Sequence, residues 1–343
     1  MESRDLFNAA ASCEKTTRPP LWVMRQAGRY LPEYRELKSK HGFLEIVKTP
    51  ELSLEAALQP MRRFDFDCSI LFSDILVISE ALGFPYKFRD TGGIALERFI
   101  KNPGDIVNMP PAEIVREKLG YVTDALRLLR RALPNKAVIG FCGAPFTLAA
   151  YMIEGGSNPG FPKYLQFIKE HPEAFEALMQ KLSETLSEYA TMQAECGIDA
   201  FQIFDSHAAL TPSGQYANMS GKFISGILKS IRGRARSIVF ANGMSARFNE
   251  VTPTGADVYS IESGATLSEI KKNLPAQCAL QGNLDPALLS NATPLEVKTA
   301  SLKILNDMSK IGGHIFNLGH GILPDAKIEN VEALCETVKN FKA

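Results

Sequence analysis

Two arginines four residues apart carry the first chemical signal. Arg25 and Arg29 stand in the stretch PLWVMRQAGRYLPEY, residues 20–34, with Gln26, Ala27 and Gly28 between them. Each guanidinium offers a planar fork of N–H donors that fits a carboxylate or a phosphate. The apolar run Leu21–Met24 stops at Arg25, and Pro32 closes the segment. Gly28 can take backbone angles denied to other residues, so the chain can bend round a ligand. This is an anion-binding design. Spacing alone equally suits a strand end with two solvated arginines, so the rest of the chain has to decide.

Four more residues are placed for chemistry. Asp74 lies between two apolar runs in ILFSDILV, where a buried carboxylate needs donors around it or it neutralises. Aspartate is also a good helix cap, and the spacing suits both roles. Tyr151, in GAPFTLAAYMIEGG, falls on a short helix that the glycine pair Gly155-Gly156 ends, and its hydroxyl is one hydrogen-bond donor. Ser206 follows Asp205 in QIFDSHAAL. The neighbouring His207 invites a Ser–His–Asp reading. No GxSxG elbow is present, however, and adjacent side chains rarely meet in nucleophile–base geometry. Ser206 is a neutral donor or a turn residue. His320, in NLGHGILPD, sits between two glycines that open the backbone to a ligand. With an ordinary pKa of ~6.5, it can bind as a cation or as a neutral donor.

Any anion site must be local. The 343 residues carry 38 basic and 38 acidic side chains, so no global basic field draws nucleic acid or membrane. The composition, 45% hydrophobic and 22% charged, is that of a globular protein with a large core. Cys13, Cys68, Cys142, Cys196, Cys278 and Cys335 form no CxxC pair and no metal-spaced cluster with histidine. They read as small core residues in a reducing compartment. The start lacks a signal-peptide core, and no apolar run is long enough to span a bilayer, so a cytoplasmic location is expected.

The elements that must position these residues recur with a rhythm. Eight apolar, β-prone runs appear: Leu21–Met24, Ser69–Phe72, Val138–Cys142, Ala200–Phe204, Ile238–Ala241, Val258–Ile261, Cys278–Gln281 and His314–Leu318. Near-continuous apolar runs suit strands covered on both faces. Helical sequence lies between them. Thr49-Pro50 and the capping box Thr293-Pro294-Leu295-Glu296 mark helix starts, and one apolar stripe runs from Ile114 to Leu129. The alternation predicts a (β/α)8 barrel over residues 1–343 as a single domain, with a doubly wound open sheet as the alternative. The insert at 75–137 exceeds one helix and predicts a hairpin around Phe88–Phe99 that turns at Thr91-Gly92-Gly93. In a barrel, reactive groups come from the C-terminal ends of strands, where Arg25, Asp74, Asp205-Ser206, Asn242, Glu262, Asn283-Asp285 and His320 stand.

The motifs PLWVMRQAGRYLPEY, LFSDIL, GAPFTLAAYMIEGG, IFDS and NLGHGI occur in the order found in the uroporphyrinogen decarboxylase family, which this chain resembles over essentially its whole length. The resemblance implies a distorted (β/α)8 TIM barrel, a homodimer, and no metal or organic cofactor. It implies a small-molecule substrate, the polyanionic tetrapyrrole uroporphyrinogen III, whose four acetate side chains lose carbon dioxide. It places the substrate-binding loop on Arg25, Gln26, Ala27, Gly28 and Arg29, and further substrate contacts on Asp74, Tyr151, Ser206 and His320. Asp74, Arg25 and Tyr151 are the catalytic candidates. Zinc-dependent corrinoid or thiol methyltransferases of the same fold superfamily are the competing expectation. They require a His-x-Cys pair at a strand end, where this chain has Phe240-Ala241-Asn242.

Overall fold

The computed structural model describes residues 1–89 and 93–342. Its strands are β1 (Cys68–Ile70), β2 (Tyr86–Phe88), β3 (Ile94–Leu96), β4 (Ala137–Gly143), β5 (Ala200–Asp205), β6 (Arg236–Ala241), β7 (Val258–Ser260), β8 (Ala279–Gln281) and β9 (His314–Ile315). Seven of them form one parallel sheet in the order β1-β4-β5-β6-β7-β8-β9. The chain therefore steps round the sheet in sequence, with helices as the crossovers. The segment after Pro19 fills the remaining place. Phe316 N donates to Pro20 O at 2.8 Å and Trp22 N to Phe316 O at 3.3 Å, while Asp67 N donates to Leu21 O at 2.9 Å. One short stretch thus bonds the end of β9 on one side and the approach to β1 on the other. The sheet curls into a TIM-like barrel. The expected strand Leu21–Met24 shrinks to a single bridge, Leu21 with Phe316, because the backbone turns away at Arg25.

Alternation along the strands explains the closure. Trp22, Cys68, Ile139, Ala200, Ile238, Val258, Ala279 and Ile315 point into one shared cluster, which Phe7, Ala10 and Ala11 of helix Ser3–Ala11 join. Burying each large apolar side chain contributes roughly 1.5–3 kcal/mol. Polar groups in the lumen pair with one another: Trp22 Nε1 donates to Gln281 Oε1 at 2.9 Å, and Gln281 Nε2 donates to Gln202 Oε1 at 3.1 Å and Ser260 Oγ at 3.0 Å. The helix plugs the N-terminal mouth, and the C-terminal mouth is left for loops.

The helices largely follow their sequence marks. Thr293 and Glu296 form the expected capping box at the start of helix Pro294–Met308. Thr49 precedes helix Pro50–Phe64 but makes no side-chain cap bond. The stripe from Ile114 to Leu129 is split into helices Ile114–Lys118 and Gly120–Ala132. Leu119, at φ −110° and ψ 25°, breaks the run beside Gly120, a weak helix former. β2 and β3 form an antiparallel hairpin, three residues on each side from Tyr86 to Leu96, which begins and ends before the expected Phe88–Phe99. Thr91 and Gly92 of its expected turn lie outside the described residues. The hairpin docks on the loop after helix Pro145–Glu154: Ile94 N donates to Ser157 Oγ, and Ser157 N to Ile94 O.

Candidate active site

The arginine loop is built by hydrogen bonds that leave its guanidinia outside. Gln26 is buried; its Oε1 accepts from Val23 N at 3.1 Å, and its Nε2 donates to Cys68 O at 3.1 Å. The Gln26 side chain therefore locks the loop to β1, and its backbone is engaged as well, Gln26 N donating to Val23 O at 2.9 Å, so the residue supports the loop from beneath. Tyr30 Oη donates to Gln26 O, and Leu31 N to Gly28 O. A Cβ on Gly28 would stand 2.9 Å from Arg25 O, so this turn requires glycine. Arg25 itself takes φ +64°, a left-handed conformation unusual outside glycine, which turns its side chain out of the strand direction. Arg25 and Arg29 are both exposed, and Ala27 and Gly28 are half-buried.

The His320 loop is zipped to this one. Met24 N donates to Asn317 Oδ1 at 2.9 Å, and Ile322 N to Met24 O at 2.9 Å. The two glycines beside His320 have packing reasons. A Cβ on Gly321 would lie 2.5 Å from Arg25 Cδ, and one on Gly319 would collide with the Ser263 backbone. Their neighbours are protein groups, which corrects the expectation that they clear space for a ligand.

Asp74 combines the two roles the sequence left open. Its Oδ1 accepts from Leu76 N at 2.7 Å, fixing the turn that leads into helix Val77–Ala81. Its Oδ2 makes no bond among the described residues. Burial raises the carboxyl from its ordinary 3.8 to about 6, while the Leu76 N–H bond and the Arg25 charge pull the other way. Tyr151 is half-buried; burial and then the Asp74 charge raise its hydroxyl, and Arg25 opposes them. Burial and Arg25 lower His320, with Glu262 opposing, so its neutral form prevails at neutral pH. Arg25 is thus the charge that Asp74, Tyr151 and His320 all feel. Those residues follow β1, β4 and β9, and Arg25 follows the closing segment. Four distant stretches converge on one mouth.

Ser206 is half-buried at the end of β5, and its carbonyl accepts from Asn242 Nδ2 at 3.3 Å. Other strand-end groups are engaged within the protein. Asp205 accepts from Thr147 Oγ1 and Ser220 Oγ, both at 2.7 Å, and not from His207. Glu262 accepts from Gly243 N and Ser245 N; Asn283 donates to Glu262 O and Ala265 O; Asp285 caps helix Pro286–Asn291. Among the described residues, no three His, Cys, Asp or Glu side chains gather at metal-ligating spacing.

The structure adds a feature that sequence reading missed. Phe141, Phe204, Phe240 and His320 run edge to face round the mouth, with ring centroids 5.7, 6.3 and 6.0 Å apart in turn. The signal was an aromatic near the end of each of three successive strands, hidden because such residues also suit any core. Phe141 and Phe240 are buried, so the apolar surface beside the arginine rim comes from the half-buried Phe204 and His320, which the other two rings back.

Comparison with known proteins agrees with this geometry. The uroporphyrinogen decarboxylase (URO-D) family model matches residues 2–341. A uroporphyrinogen decarboxylase from Chlorobium limicola is 39% identical over 350 aligned positions, covering 100% of this chain and 99% of the relative. One from Ruthia magnifica subsp. Calyptogena magnifica is 38% identical over 344, covering 98% of each. Among solved structures, a methyltransferase from Methanosarcina mazei superposes with a TM-score of 0.82 at 18% identity, covering 99% of this chain and 98% of its own, a likeness of fold alone. By sequence over its whole length and by the barrel that carries these residues, the chain belongs to the uroporphyrinogen decarboxylase family.

Proposed function

We propose that this chain is a carboxy-lyase that removes the four acetate carboxyl groups of uroporphyrinogen III, giving coproporphyrinogen III and four molecules of carbon dioxide, within tetrapyrrole (haem) biosynthesis. The observation that carries the reading is Asp74: one oxygen fixes its own turn, and the other is free beside Arg25 on an arginine-rimmed mouth. The substrate bears eight carboxylates round four pyrrole N–H groups. Arg25, Arg29 and His320 suit the rim; the free Asp74 oxygen suits the N–H centre. Ser206 and the backbone of Ala27 and Gly28 add neutral contacts, and Gln26 holds the loop beneath them.

The chemistry follows from where electrons can go. The C–C bond between an acetate methylene and its carboxylate breaks only if its electron pair has a sink. Protonating the adjacent pyrrole carbon makes the ring iminium-like. Carbon dioxide then leaves, and the pair flows into the ring as an exocyclic methylene. Protonation of that methylene and loss of the ring proton restore the pyrrole with a methyl group, so each cycle consumes one proton and releases one carbon dioxide. The substrate ring is its own electron sink, the task a cofactor performs elsewhere. Asp74 faces the cationic ring as an anion, an interaction that strengthens as charge develops and so lowers the barrier. Arg25 and Tyr151 are the candidates for delivering the proton. A guanidinium holds its proton tightly and is a poor acid, which favours Tyr151 or a proton relayed past it.

Anaerobic incubation with uroporphyrinogen III, followed by separation of the hepta- to tetracarboxylate products, tests the reading. Stepwise appearance of all four is expected, and an unchanged octacarboxylate contradicts it. Activity should survive exhaustive dialysis against a chelator; loss restored by zinc would favour the methyltransferase-like alternative. The family likeness supports a homodimer, checked by light scattering. Six free cysteines, five of them buried, favour a reducing compartment such as the cytoplasm. No helix among the described residues is long and apolar enough to cross a membrane.

A further inference from the structure

His207 follows Ser206 at the end of β5, and its surroundings are unlike those of an ordinary turn residue. Its ring lies between two aromatics, with centroids 4.3 Å from Phe161 and 5.1 Å from Tyr151. Tyr151 and Phe161 also meet edge to face at 5.7 Å, so the three rings form one triangle. Phe161 reaches it from the loop after Tyr151's helix, at φ +49°.

The backbone under the ring is pinned as well. His207 N donates to Thr147 Oγ1 at 3.2 Å, and that hydroxyl donates to the buried Asp205 at 2.7 Å. Thr147 and Tyr151 are one helical turn apart on helix Pro145–Glu154, so the same face of that helix carries both contacts. Nε2 of His207 is buried and without a partner among the described residues. Burial lowers the ring to about 4, which leaves it uncharged at neutral pH. It therefore brings its neighbours a flat, neutral shape and neither a charge nor a hydrogen bond from that nitrogen.

We propose that His207 is a positioning residue for Tyr151: its ring, packed on Phe161 and carried on a backbone that Thr147 pins, fixes the tyrosine hydroxyl in the mouth of the barrel. This rests on the reading of Tyr151 as a group that acts on the substrate. A tyrosine whose packing partner is removed can swing about its two side-chain torsions. A misplacement near 1 Å at a reacting group costs up to ~10²-fold in rate.

The test is a double-mutant cycle on the full-length enzyme. His207→Ala, His207→Phe and Tyr151→Phe are made singly, with His207→Ala also made in the Tyr151→Phe background. Turnover of uroporphyrinogen III is measured alongside circular dichroism. His207→Ala is expected to lower kcat about tenfold while KM stays within about threefold. His207→Phe keeps the flat ring and is expected to hold kcat within about threefold of the parent. With the hydroxyl absent, His207→Ala should have little further effect, the mark of two residues acting as one. Each of these outcomes overturns the proposal. A His207→Phe enzyme as impaired as His207→Ala gives the role to the nitrogen. A His207→Ala change that costs the same factor in both backgrounds, or nothing in either, shows that the two residues do not act as one. A fully active Tyr151→Phe enzyme removes the reading of Tyr151 itself, and is told apart from the others by that single variant.

Discussion

Asp67 and Asp199 at the N-terminal mouth of this barrel and Asp74 at the C-terminal mouth are carboxylates held in opposite ways. At the N-terminal mouth, Asp67 accepts two bonds from Arg18, at 2.7 and 2.9 Å, one from Ser3 Oγ at 2.7 Å and one from Leu21 N at 2.8 Å. Asp199 accepts from Arg4 at 2.6 Å, Arg130 at 2.8 Å and Val138 N at 2.8 Å. All four carboxylate oxygens of Asp67 and Asp199 are occupied. At the C-terminal mouth, Asp74 has a single bond, and Arg25 and Arg29 are exposed without an ion pair among the described residues. Clefts of about 490 and 630 Å³ open beside Cys13 and His314 and beside Arg4 and Asp257, on the paired side. Hollow space alone therefore does not mark the site; a carboxylate oxygen without a partner among converging Arg25, Tyr151 and His320 does. The paired mouth holds the fold, and the unpaired mouth waits for a ligand that supplies the missing partners.

Substitutions can break or sharpen that contrast. The largest effect belongs to Asp67→Asn. It strips the charge from a buried pair and leaves Arg18 unanswered, which typically costs about 3–5 kcal/mol. Urea unfolding should show that loss, with turnover per folded molecule unchanged; a stability near that of the parent would mean the pair contributes little. Arg29→Ala comes next. It removes one charge-assisted contact of ~1.5–3 kcal/mol, so KM should rise roughly ten- to hundredfold while the unfolding midpoint stays put. An unchanged KM would take Arg29 out of the rim.

The pH dependence is a smaller, continuous version of the same test. The proposed mechanism works through the ionised carboxylate of Asp74, which burial raises to about 6, so kcat/KM should fall below that pH. The slope should approach tenfold per unit, and a profile flat down to pH 5 would contradict it. Gly321→Ala is subtler. Its new Cβ would stand 2.5 Å from Arg25 Cδ, a flexible side chain that can give way. Stability should change by less than ~1 kcal/mol, whereas activity should drop about tenfold because Arg25 is displaced. Full activity would show that Arg25 has no fixed place.

Much of this was legible in the sequence, and the residues show why. The parallel strands announced themselves as apolar runs because helices cover them, and the Thr293 capping box is a local signal with a local cause. Asp74 and His320 stood at breaks between apolar runs, where a barrel exposes its loops, and Tyr151 on the short helix that follows one. What failed to show depends on contacts across the fold. The glycines beside His320 answer Ser263 and Arg25, which are distant in sequence. Gln26 reads as part of a binding loop until its amide is seen bonded to Cys68 O. The closing strand lost its length to a left-handed Arg25 that no propensity signals. The ring triangle round His207 joins three separate stretches, so only the folded chain reveals it.

Asp74→Asn tests the central claim most directly, because the two mouths predict opposite signs for the same exchange. The asparagine Oδ1 can still accept from Leu76 N, so the turn survives. Its amide N–H₂ then replaces the free oxygen and meets the pyrrole N–H groups donor to donor. Turnover should fall by ~10²–10³. Stability should move the other way. A carboxyl raised from 3.8 to about 6 favours the folded state least where it is ionised. The parent therefore loses stability as pH rises from about 4 through about 6, a deficit of about 1–3 kcal/mol that persists above it. The neutral amide has no such deficit. The measurement is urea unfolding of parent and Asp74→Asn at pH 4 and pH 8, with uroporphyrinogen III turnover at pH 8 on the same preparations. The expected result is a variant that matches the parent at pH 4, exceeds it at pH 8 and has lost turnover. A variant that is less stable at pH 8, or one that keeps near-parental turnover, would contradict the account.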